Sequence, residues 1–155
     1  MRRVIAIGLT VLAAQLAASS PRAATGTIQF GGLIDGICTI VVGVSGALDI
    51  SADGLTISTD YGYPATAVVT TTGTGFDLSV GTPSVFDTAP TDGNTGVTFQ
   101  TSYTTTGITT VSGILGGVAT ALGIGITNVS VDLSASRSDV FPSGTYGAET
   151  TITCE

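Results

Sequence analysis

With no histidine and no lysine anywhere in its 155 residues, this chain leaves chemistry to two cysteines, eleven carboxylates and a few arginines. Neither a Ser-His-Asp triad nor a lysine nucleophile can be assembled from that set. The cysteines, Cys38 and Cys154, have no histidine beside them and no CxxC spacing, which argues against a zinc site or a catalytic thiol pair. An even cysteine count in an exported chain instead predicts a disulfide. Joining Cys38 to Cys154 would staple the start of the domain to its end, worth roughly 4 to 5 kcal/mol in the chain-entropy account.

The carboxylates offer less. Paired acids can hydrolyse glycosides only at a separation that sequence spacing does not specify. Asp87-Thr88-Ala89 is similar to part of an aspartic-protease motif, but the glycine that should follow and a second copy are both missing, so a solvated loop is expected. Asp92-Gly93-Asn94 and the pair Asp49 and Asp53 supply oxygens in turns without the ligand order of an EF-hand. Turn chemistry accounts for them more simply, and no metal, cofactor or enzymatic activity is expected. Asn128-Val129-Ser130 matches a glycosylation sequon.

Arg2 and Arg3 precede an apolar run from Val4 to Ala18, and small residues continue to Ala24. That order of charge, apolar stretch and cleavage zone predicts a signal peptide over residues 1–24, cut at Ala24 or nearer Ala18 and Ser19. The run is shorter than the roughly 20 residues a membrane span needs. Export through a periplasm is the expected localisation. About 130 residues remain, enough for one domain with a core. Beyond the leader Arg137 is the sole cation, while every carboxylate lies from Asp35 onward. So acidic a surface disfavours nucleic acid, whose binding draws on Lys and Arg, and anionic membranes as well.

The elements that must position these residues are strands. Thr, Val, Ile, Ser and Gly dominate, and good helix formers are scarce. Candidate strands run over Gly26–Ile34, Ile37–Val44, Leu55–Thr59, Ala67–Thr72, Phe76–Val80, Val97–Tyr103, Ile124–Leu133 and Thr145–Cys154. Ser51-Ala52-Asp53-Gly54, Gly62-Tyr63-Pro64, Pro90 to Asn94 and Pro142-Ser143-Gly144 supply turns. The pattern predicts an all-β, two-layer antiparallel sandwich. Val111–Ile126, nearly uncharged and glycine-rich, reads as a loop or short helical turn leading into a core strand at Gly123–Ile126; its glycines lower the hydropathy below that of a membrane element.

Gly26-Thr27-Ile28-Gln29-Phe30-Gly31-Gly32-Leu33-Ile34, followed closely by Cys38, resembles the N-terminus of chaperone-usher pilins. The tail Gly144 to Glu155, glycine-led and alternating to its end, is similar to the pilin C-terminal strand, and Ala119 to Ile126 carries a weaker likeness to the pilin middle. The resemblance implies an immunoglobulin-like sandwich lacking its last strand, with residues 25–36 as an N-terminal extension and 37–155 as the domain. It also implies the mechanism, donor-strand exchange. Gly26, Ile28 and Phe30 would be donor anchors, and Tyr146, Ala148, Thr150 and Ile152 the alternating acceptor edge. The implied partners are other copies or related subunits, a periplasmic chaperone and an outer-membrane usher; the product is an adhesive surface fibre. A pilin usually pairs its first cysteine within an early strand, whereas Cys38 has only Cys154. The alternative left open is a self-complete secreted β-sandwich, a binding or coat protein of non-enzymatic function, in which Gly26–Ile34 is an ordinary first strand.

Overall fold

The computed structural model describes residues 25–155, and there the chain is all β, with no helix. The signal peptide expected over residues 1–24 lies outside the described residues. Ile34–Glu155 forms one compact unit. Its strands are β1 (Cys38–Val42), β2 (Ala47–Ile50), β3 (Thr56–Tyr63), β4 (Ala65–Thr71), β5 (Asp77–Val80), β6 (Thr98–Gly107), β7 (Val111–Leu115), β8 (Thr120–Ala121), β9 (Gly125–Ser136) and β10 (Ile152–Cys154).

Seven of them make one antiparallel sheet whose spine is β9. Along one side of β9 runs β6, from Thr98↔Ser136 to Gly107↔Thr127; along the other run β4 and then β3. The outer strands are β1 on β4, β2 on β3, and β7 on β6. A second, three-stranded sheet has the order β10-β5-β8.

The first half of the chain is one long hairpin broken near its middle. Between β1 and β2 the ladder continues through Gly43 N to Thr66 O (2.8 Å) and Thr66 N to Val44 O (2.9 Å). Gly43 is needed there: a Cβ would come within 2.6 Å of Thr66 Oγ1, the atom that accepts from Val44 N at 2.9 Å. At the hairpin tip Asp53 Oδ1 accepts from Ser51 Oγ (2.6 Å) and Leu55 N (3.1 Å). These bonds, the Ser51 hydroxyl foremost, hold its carboxyl below the ordinary 3.8. On the returning side β3 leaves β9 after Ser58↔Ser134, and β4 rejoins it at Ala65↔Val131. Buried Thr59 patches the gap, accepting from Leu133 N (3.2 Å) and donating to Asp132 Oδ1 (3.0 Å). Pro64, which has no N–H to give, sits in the break.

The two sheets pack face to face. Val69 of β4, Tyr103 of β6 and Val129 and Val131 of β9 meet Leu78 and Val80 of β5 in the main core cluster. A second cluster lies toward one end, where loops replace strands in the smaller layer: Phe86 and Phe141 cover Ile57 and Ala135. Phe86 meets Phe99 and Tyr146 edge-on, with ring centroids at 4.7 and 4.9 Å.

Three expectations need correction. Gly26–Ile34 forms no strand; alternation suits a strand, but a strand also needs a neighbour to hydrogen-bond, and none is paired with this one. Thr145–Cys154 is a strand only over β10, joined upstream by the single bridge Thr88↔Gly147. The reason is the facing loop, which has six residues (82–87) opposite three (148–150). Side chains take over there, with Asp87 Oδ2 accepting from Glu149 N (2.7 Å) and Thr150 Oγ1 donating to Gly81 O (2.6 Å). Val111–Ile126 is neither plain loop nor helix: it supplies β7, β8 and the start of β9. Its glycines serve the crossing between sheets, Gly113 and Gly117 taking φ of 63° and 81°. No helix among the described residues is long and apolar enough to cross a membrane.

Candidate functional site

The site begins with the disulfide. Cys38 on β1 and Cys154 on β10 are bonded, with Cα atoms 6.3 Å apart and a separation of 116 positions in sequence. These strands are the outer members of the two sheets on the same side of the sandwich. The bridge therefore ties edge to edge, across the seam where the layers meet.

Away from the bridge the seam opens. Alternation along β1 turns Cys38, Ile40 and Val42 toward the core, and the first two are half-buried against it. Val42, next in that inward series, is 71% exposed. Nothing in the second layer covers it. Beside it is an apolar cavity of ≈ 110 Å³ between Val42, Ala67 and Val131 on one wall and Val80, Thr150 and Ile152 on the other. Ala65, Val131 and Thr150 also line an adjoining cavity of ≈ 300 Å³, bounded further along by Leu48, Leu133, Tyr146 and Ala148. Past Leu48 and Tyr146 a third recess, again ≈ 300 Å³, continues between Ile50 and Ser143. One groove thus follows the seam from Val42 to Ile50.

Its edges are unpaired main chain. Among the described residues β1 bonds only β4, and β2 only β3. The tail 147–155, among the described residues, has backbone bonds only inward, through Thr88, Gly81, β5 and Asp77. Tyr146 is the firmest part of the wall: its ring packs edge-on against Phe86 and Phe141, and its hydroxyl donates to Pro142 O at 2.7 Å. Burial pushes that phenol above its ordinary 10.0, against a smaller opposing pull from Arg137.

The structure brings Tyr146, Ala148, Thr150 and Ile152 together on this groove, the first three in the large cavity and Thr150 with Ile152 in the small one. Gly26, Ile28 and Phe30 lie in a segment without strand, where Ile28 is 78% and Phe30 93% exposed. The opposite wall, Val42, Leu48, Ala65 and Val131, was not foreseen from the sequence. Continuing the inward alternation of Cys38 and Ile40 by one step would have found Val42.

Other singled-out residues have local duties. Asp87 clamps Glu149, and Asn94 holds both backbone groups of Phe86, with Oδ1 accepting from its N (2.7 Å) and Nδ2 donating to its O (3.0 Å). Asp49 Oδ1 accepts from Ile50 N (2.8 Å). Among the described residues no group of three or more His, Cys, Asp and Glu side chains is placed to hold a metal.

No family model, curated protein or solved structure matches this chain.

Proposed function

We propose that this chain is the structural subunit of a bacterial surface fibre, assembled when the leading segment of one copy fills the seam groove of the next. The observation that carries the reading is Val42, a core-facing valine left uncovered between two unpaired sheet edges. An apolar groove flanked by free N–H and C=O groups is a receptor for an extended strand: main-chain bonds give affinity and alternate pockets give register. The same chain carries a matching segment in Gly26–Phe30, apolar on alternate residues and, among the described residues, in no strand of its own. Such a contact is head to tail, so it propagates into an open fibre. The sandwich is then the incomplete, immunoglobulin-like type seen in pilins. Its partners are further copies, a periplasmic chaperone that covers the groove before assembly and an outer-membrane usher, and the product supports adhesion outside the cell.

One observation favours a self-complete secreted domain: Val69, Leu78, Val80 and Tyr103 are fully buried without any added strand. A single experiment separates the two readings. A copy of residues 25–34 joined after Glu155 by a short turn is expected to keep the exported chain monomeric and raise its melting temperature by roughly 10 °C or more. The unmodified chain is expected to associate. An unmodified chain that melts cooperatively as a monomer, with no gain from the appended copy, refutes the fibre.

A further inference from the structure

We infer that the Cys38–Cys154 bridge is a register stop: it makes the groove a blind slot that accepts the leading segment of a second copy in one direction only, N-terminal end toward the bridge. This rests on the fibre reading above and specifies how the strand lies.

Neighbouring strands are about 4.8 Å apart, so two edges must stand about 9.5 Å apart to admit a third between them. At the bridge the two Cα atoms are 6.3 Å apart. No strand passes there. From that closed end the space grows stepwise, first to ≈ 110 Å³ beside Val42 and Ile152, then to ≈ 300 Å³ between Leu48 and Tyr146. Inward side chains of an inserted strand fall about 6.5 to 7 Å apart, one to each step. The segment offers the same progression: Gly26 has no side chain, Ile28 a medium one and Phe30 a large one. Gly26 belongs at the bridge, Ile28 in the small cavity and Phe30 in the large cavity. The strand then runs parallel to β1 and antiparallel to β10.

Connectivity agrees. Phe30 is followed within eight residues by Cys38 of its own folded domain, so that end of the strand must leave through an opening. The other end needs no exit if cleavage of the leader at Ala24 makes Thr25 the chain terminus. A blind end fits a terminus, and the open end fits the connection.

The test uses the full exported chain, unfolded in denaturant with its disulfide intact and refolded with synthetic peptides of residues 25–34. Affinity is read by fluorescence and melting temperature. Gly26→Leu and Ile28→Phe peptides are expected to bind at least about tenfold more weakly than the parent, and Phe30→Ile only a few-fold more weakly. A dye on Thr25 is expected to block binding while the same dye on Ile34 does not, and a photoreactive analogue at position 30 is expected to cross-link to residues 46–48 or 146–148. If the parent peptide binds but tolerates Gly26→Leu, or cross-links from position 30 beside Cys38 or Ile152, the stop is refuted and the fibre reading stands. If no peptide binds, both fall.

Discussion

The two sides of this sandwich are closed by opposite means. At the β7–β8 side the chain itself crosses from one layer to the other: Gly116 N bonds Thr101 O and Gly117 N bonds Val80 O, both at 2.7 Å. Behind that crossing the buried Tyr103 of the large sheet sets its hydroxyl 2.8 Å from Val118 O, 2.6 Å from Thr120 Oγ1 and 3.2 Å from Leu78 O. At the β1–β10 side, among the described residues, no hydrogen-bonded crossing like that at Gly116 and Gly117 closes the seam, and one covalent bond at one end joins the layers. Continuous backbone seals a seam for good. A staple at one end fixes the spacing there and leaves the rest of the seam an open groove.

Breaking the staple has the largest expected effect. Cys38→Ser with Cys154→Ser should lower unfolding free energy by about 2 to 5 kcal/mol in denaturant titrations. A loss below about 1 kcal/mol would mean that other contacts hold the open side. Next comes the asymmetry in free space. A Cβ on Gly116 would sit 3.1 Å from Thr101 Cβ and 3.3 Å from Val80 O, so Gly116→Ala should cost about 1 to 3 kcal/mol by overpacking. Ala148→Leu, facing the large cavity, should stay within about 0.5 kcal/mol of the parent while abolishing peptide uptake. Equal costs at both positions would erase the distinction between the seams.

Tyr103→Phe is expected to cost about 1 to 2 kcal/mol, because Thr120 and two carbonyls lose a buried partner, and to leave peptide uptake unchanged. The smallest effect concerns pH. Tyr146 has a folded-state pKa raised by burial above its unfolded 10.0. Its contribution is therefore fully present below pH 10 and is lost as pH rises through the folded value. Phenolate absorbance should include a late-titrating component that is lost in Tyr146→Phe and moves later still when peptide covers the groove. Titration unmoved by peptide would place Tyr146 outside the occupied stretch.

How far these features were legible in the sequence follows the same division. Strands with a clean alternation and β-branched residues, such as β4 and β9, were readable to within a few residues, and so was the pairing of two cysteines in a chain without histidine. The crossing at the closed side was not, because glycines at 113, 116 and 117 look alike whether they loosen a loop or let the backbone turn between layers. β2 was missed because Gly43 and Gly46 interrupt the hydrophobic pattern just before it. The tail displayed its inward series of Tyr146, Ala148, Thr150 and Ile152, yet its ladder depends on the length of a facing loop far away in sequence. The leading segment shows the limit most plainly: alternation states which face wants cover and says nothing of whose sheet provides it.

The bridge also decides where a mechanical load would travel. A pull on the residues before Cys38 reaches that cysteine and can pass through the sulfur atoms to the tail at Cys154, leaving the whole span between them out of the line of tension. Stretching a string of such units would straighten the short connectors ahead of Cys38 while the hydrophobic interior stayed slack, so its extension would be capped by connector length instead of by unravelling of the folded body.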